Sequence, residues 1–118
     1  MAIVQNGLNL ASDQNLKLMF STKIAGIGYY LPEKVVTNKD LEKVMETSDE
    51  WIQERTGIQE RRYAKKHEET TTTMGARAAE MAIERAGISK EDIDFIIFAT
   101  LSPDYFFPGC GVLVQREL

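Results

Sequence analysis

Cysteine, histidine and tryptophan each occur once, and proline three times, in a chain of 118 residues. A single cysteine excludes an internal disulfide framework and a cysteine-rich zinc site. With only one histidine beside it, a Cys/His metal cluster cannot be assembled. Long apolar runs are missing as well: Phe95 to Ala99 falls far short of the ~20 residues a membrane-spanning helix needs. Residues 1–20 lack both a basic leading region and a continuous apolar stretch, because Asp13 and Lys17 interrupt, so no secretory signal is expected. Positive charge is in deficit, with 14 basic against 18 acidic residues and a net charge of −4, which argues against a general nucleic-acid binder. One thiol and no export signal make the cytoplasm the expected compartment.

What is present suits a globular fold. The chain is 43% hydrophobic and 27% charged, enough apolar material for a core and too little net charge for a disordered polyanion. Its length corresponds to one domain of about 100–150 residues. Residues 1–20 are amide-rich and only loosely periodic, and read as an N-terminal extension or leader. Residues 21–118 form the expected, incomplete α/β domain, which begins just after Met19.

Within that domain, Lys23 to Tyr29 is predicted as a strand ending at Leu31-Pro32, and Val35-Val36 as a short extended piece. Asn38 is the expected cap of a short helix through Leu41, Val44 and Met45. Thr47-Ser48-Asp49-Glu50 fits a capping box, with Thr47 as the cap of a helix that carries Trp51, Ile52 and Arg55 and stops at Gly57. Ile58 to Tyr63 returns as an extended segment. The threonine run Thr70 to Thr73 caps the longest helix, in which Met74, Ala78, Met81, Ala82 and Ala86 recur at helical spacing before Gly87. Asp94 to Thr100 is apolar on both faces, the pattern of a central and parallel buried strand. Pro108 is placed in the first turn of a last helix. A buried strand needs partners on both sides and helices on both faces, and the sequence supplies too few long strands for that.

Four features carry candidate chemistry. Gly26-Ile27-Gly28 follows a strand, but Leu31 and Pro32 stand where a dinucleotide fingerprint would continue, so a closely packed strand end is the better account. Cys110 lies near a predicted helix N-terminus, where a thiolate is favoured, yet it needs a base and only His67 is available. A small cysteine packing a helix start is the alternative, and His67, within Lys65-Lys66-His67-Glu68-Glu69, reads as a solvated loop residue. The threonine run could also receive a phosphate, although capping explains it more simply. Trp51 and Arg55, four residues apart, share one helix face and can hold a flat aromatic group while the arginine meets a phosphate. Arg61, Arg62, Lys65 and Lys66 add a local basic patch. Together these suit an anionic ligand with an adenine-like ring or an acidic partner, against the alternative of a core tryptophan beside an ordinary surface arginine.

From Lys23 onward, the succession KIAGIGYYLPEKVVTNKDLEKVMETSDEWIQERTGIQERRYA, TTTMGARAAEMAIERAGI, DFIIFATLSPDYFFPG and LVQREL resembles the amino-terminal third of β-ketoacyl-acyl carrier protein synthase III. YLP, TSDEWI with RTGI, and the closing FPG…VQ are specific in order and spacing. The resemblance implies a partial thiolase-like fold, part of a five-layered αβαβα arrangement of two similar halves in a homodimer. It also implies a condensing enzyme that joins an acyl group from acyl-CoA, commonly acetyl, to malonyl-acyl carrier protein with loss of carbon dioxide. Acyl-CoA would be a substrate, with no tightly bound cofactor, no metal, and neither nucleic acid nor membrane as partner.

By the same resemblance, Thr47, Trp51 and Arg55 contact the adenine-nucleotide end of coenzyme A, with Trp51 stacked on the base. Phe107 matches an aromatic position that shapes the acyl pocket across the dimer. No catalytic residue carries over: the family's nucleophilic cysteine falls about two dozen residues beyond the FP pair, and Cys110 and His67 match neither it nor the catalytic histidine. The chain is therefore expected to be inactive alone. Other thiolase-superfamily acyl-CoA synthases of secondary metabolism, or a non-catalytic dimerising module, are the competing readings.

Overall fold

The computed structural model describes residues 2–8 and 20–118. In chain order the elements are strands β1 (Ala2–Leu8), β2 (Phe20–Ile27) and β3 (Lys34–Thr37), helices α1 (Asn38–Glu42) and α2 (Asp49–Thr56), strand β4 (Glu60–Tyr63), helix α3 (Thr71–Ala86), a 3-10 turn at Lys90–Asp92, and helix α4 (Cys110–Glu117). They fall into two compact units, one built from Met1–Tyr30 and Thr71–Leu118, the other from Leu31–Thr70. The residues around Met19, where the domain was expected to begin, lie largely outside the described ones; Ala2–Leu8 of the expected leader is a strand.

In the first unit β1 and β2 pair antiparallel, from Ala2 opposite Ile27 to Leu8 opposite Phe20, with an irregularity between Ile3 and Val4. Helix α3 lies on β2 through small residues on both sides. A Cβ placed on Gly26 would sit 2.2 Å from the Ala82 carbonyl oxygen, and one on Gly28 would sit 2.0 Å from that of Ala78. The two glycines thus serve backbone-to-backbone packing, as their sequence context suggested. Ala76, Ala78, Ala79, Ala82 and Ile83 make the buried stripe of α3, with Ala25, Ile88, Ile93 and Leu118 packed about Ala82 and Ile83. Two arginines on the exposed side of the helix hold the end of β2: Arg85 donates to the Ile27 carbonyl at 2.9 Å and Arg77 to the Tyr30 hydroxyl at 2.8 Å.

The start of α3 carries a contact that the sequence reading did not include. The Asp104 carboxylate accepts the N–H groups of Thr71 at 2.9 Å and Thr72 at 2.7 Å, so a distant acid occupies the positive end of the helix, the place where anions are most stabilised. The Thr71 hydroxyl instead donates to the Ser102 carbonyl. Pro108 follows a cis peptide bond and precedes the helix it was expected to join; Gly109, at φ 89°, is the residue at the boundary and Cys110 is the first helical one.

Asp94 to Thr100 has no regular secondary structure and pairs with no strand among the described residues. Phe98 packs on Gly75 and Gly111, and Ile96 is half-buried, while Phe95 and Ile97 are 79% and 82% exposed. The expected burial on both faces is replaced by burial on one, because a central strand requires neighbours on each edge.

The second unit is organised around polar contacts. Strands β3 and β4 pair antiparallel, from Lys34 opposite Tyr63 to Thr37 opposite Glu60. Thr37, not Asn38, caps α1: its hydroxyl accepts from the Asp40 N–H, and the Asp40 carboxylate accepts from the Thr37 N–H. Asn38 is released for another task and is 1% exposed. Val36 and Ile52, with Pro32, are the buried apolar side chains of this unit among the described residues.

Candidate functional site

Helix α2 presents the candidate residues. Its cap is Ser48, whose hydroxyl accepts from the Trp51 N–H at 3.1 Å, and the capping box proposed on Thr47 is not formed. The shift by one residue frees Thr47, which is half-buried beside the helix start. Gly57 ends the helix in the left-handed conformation, at φ 71°, with its N–H donated to the Gln53 carbonyl at 2.8 Å. Ile52 turns inward, and this sets the opposite orientation for its neighbour: Trp51 is 54% exposed.

The Arg55 guanidinium carbon lies 5.2 Å from the centre of the Trp51 ring, in cation–π range, as the four-residue spacing predicted. Glu46, Thr47, Ser48 and Trp51 line an open concavity of about 290 Å³. Thr47 and Trp51 therefore meet at one hollow, and Arg55 joins them through the indole. The chemistry of the hollow is graded. Glu46 and the first-turn acids Asp49 and Glu50 make the α2 N-terminus a poor phosphate site, whereas the flat indole and the hydroxyls of Thr47 and Ser48 suit a neutral heteroaromatic ring. Arg55, in the last turn, supplies the positive charge for an anionic group attached to such a ring.

The basic patch is largely committed elsewhere. Arg61 donates to Asn38 Oδ1 at 2.8 Å and to the Val36 carbonyl at 3.4 Å. Arg62 reaches the carbonyls of Pro32 and Glu33 at 3.4 and 3.3 Å, and Lys65 pairs with Glu68 at 3.7 Å. Guanidiniums satisfied by backbone carbonyls hold the sheet, not a ligand.

Cys110 and His67 follow the structural reading. Cys110 is 3% exposed, and its sulfur accepts from the Asp104 N–H at 3.4 Å. His67 lies in an exposed loop at φ 68°. Phe107 is 90% exposed on its own unit. A larger groove of about 720 Å³ runs between Phe95, Ile96 and Phe98 and the start of α4, and none of Thr47, Trp51, Arg55 or Phe107 lines it.

Sequence reasoning missed Asn38 as a buried residue, and Glu42, Glu46 and Asp49 as neighbours of the site. Asn38 Nδ2 donates to Asp49 Oδ1 and to the Ile58 carbonyl, both at 2.7 Å. The Asp49 N–H is taken by Glu42 Oε1, also at 2.7 Å. Hydrogen bonding by Asn38, and then by Gln53, holds the Asp49 carboxyl below the usual aspartate range, with nearby Lys39 adding to the effect. The signal available in the sequence was Asn38 itself, a polar residue that Thr37 makes unnecessary as a cap.

No family model matches the chain. A β-ketoacyl-[acyl-carrier-protein] synthase III of Chlamydia muridarum is 61% identical over 95 residues, which are 80% of this chain and 29% of that protein. The crystal structure of 3-oxoacyl-[acyl-carrier-protein] synthase III from Aquifex aeolicus VF5 superposes with a TM-score of 0.78 at 55% identity, covering 82% of this chain and 31% of that one. The priming β-ketosynthase of the R1128 polyketide biosynthetic pathway gives 0.63 at 32% identity, over 79% of this chain and 28% of its own. The chain thus spans about 30% of the length of the relatives it matches. It is a homologue of the amino-terminal part of β-ketoacyl-acyl carrier protein synthase III and carries a partial α/β thiolase-like fold.

Proposed function

We propose that this chain contributes the adenine-nucleotide end of an acyl-CoA site to a β-ketoacyl-acyl carrier protein synthase III. The whole enzyme transfers an acyl group, commonly acetyl, from coenzyme A and condenses it with malonyl-acyl carrier protein as carbon dioxide leaves. Thr47 and Trp51 receive the base, and Arg55 receives the nucleotide's negative charge. The observation that carries this reading is the exposed indole with a guanidinium at 5.2 Å beside a hollow that Thr47 also lines. An exposed tryptophan at this position gains little for the core, and base–aromatic stacking is worth about 1–3 kcal/mol.

Phe107, exposed on its own unit, belongs in this reading to the acyl pocket of a second subunit in a cytoplasmic homodimer. Acyl-CoA is a substrate, with no resident cofactor or metal. The chain by itself binds without condensing, because Cys110 is buried against Asp104 and does not present a nucleophile. The likeness to a priming ketosynthase of polyketide synthesis supports a second reading, in which the same nucleotide site serves a synthase of secondary metabolism.

Trp51 is the chain's sole tryptophan, so its emission reports this site directly. Titration with coenzyme A should quench it saturably, adenosine 3′,5′-bisphosphate should do the same, and pantetheine should not. A flat response to both nucleotides would sink the proposal.

A further inference from the structure

Thr47 lies in the six-residue loop 43–48, which has no regular structure of its own to fix it. The loop's start turns through the N–H groups of Val44 and Met45 on the Leu41 carbonyl. Its end is Ser48, the α2 cap, whose neighbour Asp49 is gripped at two atoms by the two ends of α1. The first residue of that helix, Asn38, donates to the Asp49 side chain at 2.7 Å, and the last, Glu42, accepts the Asp49 N–H at 2.7 Å. Loop 43–48 is therefore closed at both ends by the same helix.

The Asn38 carboxamide is used fully. Its nitrogen serves Asp49 and the Ile58 carbonyl, and its oxygen accepts from Arg61 Nη2 at 2.8 Å. Its backbone N–H meets the Gln59 carbonyl at 3.2 Å. Only an amide offers two donors and an acceptor in that arrangement; a carboxylate has no donor and an aliphatic chain has neither. At 1% exposure no water can substitute freely.

We propose that Asn38 and Glu42 are positioning residues: together they clamp Asp49 and thereby set Thr47 and Trp51 at the mouth of the hollow. Neither is assigned a contact with the ligand. The proposal rests on the nucleotide reading above for its purpose, but the clamp has its own readout in Trp51.

The test uses the full 118-residue chain and coenzyme A as the probe, followed by Trp51 emission, with far-UV circular dichroism recorded on every variant. Glu42 is exposed, so Glu42→Ala should keep the fold and weaken coenzyme A binding about five-fold, the equivalent of one ordinary hydrogen bond. Asn38→Asp keeps the acceptor for Arg61 but removes the donor and sets a carboxylate against Asp49. It should weaken binding about ten-fold or more, in line with the loss of a charge-assisted bond. The double variant Asn38→Asp/Asp49→Asn restores that bond with donor and acceptor exchanged, but not the bond to the Ile58 carbonyl, and should recover part of the affinity.

Ile52→Val, which trims one buried methyl group and lowers stability modestly without touching the clamp, is the control. Unchanged binding in both single variants, or a loss that merely follows the unfolding midpoint as Ile52→Val does, would overturn the proposal. If the unsubstituted chain shows no saturable response to coenzyme A, the nucleotide reading fails separately. The clamp is then judged by the anisotropy of Trp51 without ligand. Greater indole mobility in both single variants, partly reversed in the double variant, supports the clamp; equal mobility in all refutes it.

Discussion

The two units solve the same problem with opposite chemistry. The unit of Met1–Tyr30 and Thr71–Leu118 is held by removal of side chains: alanines on α3 meet glycines at the end of β2, and backbones approach until no Cβ would fit. Its largest apolar groups, among them Phe95, Ile97, Phe106 and Phe107, remain outside. The unit of Leu31–Thr70 buries little apolar surface and is held by an amide at its centre, Asn38, with Asp49, Arg61 and the Ile58 carbonyl around it. Small-residue packing tolerates no added volume but is indifferent to charge. A polar hub tolerates changes of volume better than the loss of one donor. The first unit suits a scaffold that other surfaces complete, and the second suits a site that must hold a shape on a small core.

The sharpest way to break the first arrangement is one methyl group. Gly28→Ala would place a Cβ 2.0 Å from the backbone oxygen of Ala78, and backbone cannot rotate away as a side chain can. We expect a loss of about 3 kcal/mol, the upper end of the overpacking range, seen as a lowered midpoint by circular dichroism. Trp51 emission before the transition should stay unchanged, because the second unit has its own hub. A stability equal to that of the unsubstituted chain would mean α3 is not seated on β2 as described.

The second arrangement breaks by loss of polarity. Asn38→Leu keeps the branching and the number of heavy atoms and leaves Asp49, Arg61 and the Ile58 carbonyl without their shared partner. A buried group left unsatisfied costs about 1–3 kcal/mol, so we expect about 2 kcal/mol. Here Trp51 emission should shift before the transition, the reverse of the Gly28→Ala result. Identical behaviour of the two variants would erase the distinction between the units.

Local signals explain which parts of this picture the sequence disclosed. Gly57 and Gly87 end helices at positive φ, a property of glycine that needs no tertiary context. Trp51 and Arg55 share a face by helical geometry alone. The close glycines of β2 were legible because Pro32 excluded the competing motif. Caps were misread by one residue twice, Asn38 for Thr37 and Thr47 for Ser48, since adjacent polar residues are equally capable and only the backbone decides. Asp104 at the start of α3 and Asn38 against Asp49 are contacts across 32 and 11 residues, which no periodicity encodes. Residues 94–100 failed for another reason: their composition describes a burial that needs neighbouring strands, and the described residues place none there.

A substitution at the site should separate binding from stability, which neither Gly28→Ala nor Asn38→Leu can do. Trp51→Ala removes a half-exposed side chain that caps no helix and fills no core. Stability should change by about 0.5 kcal/mol or less, as for surface positions generally. Coenzyme A affinity, measured by calorimetry, should fall about ten-fold or more if the indole stacks on the base. A large stability loss with unchanged affinity would return Trp51 to the role of a core anchor.

The smallest expected effect, and the most selective, is that of acid on the polar unit. Asn38 and then Gln53 hold Asp49 below the usual aspartate range, and Lys43 and then Thr37 hold Asp40 well below it. A carboxyl whose folded value lies below its unfolded one binds protons more readily in the unfolded chain. Its contribution is complete above the ordinary aspartate value and is lost as pH falls toward the folded value, so the loss should begin near about pH 4. Both groups are solvent-accessible at their outer atoms, which screens the effect and keeps it modest. In the other unit Glu91 is lowered chiefly by Ser89, at an exposed turn outside the Gly–Ala packing. Trp51 emission should therefore shift on acidification below about pH 4, and the Asn38→Leu chain should show a shallower shift, having already lost the main cause at Asp49. Equal slopes in the two chains would mean that Asn38 does not set the ionisation of Asp49, and the hub would then be held by Arg61 and the Ile58 carbonyl alone.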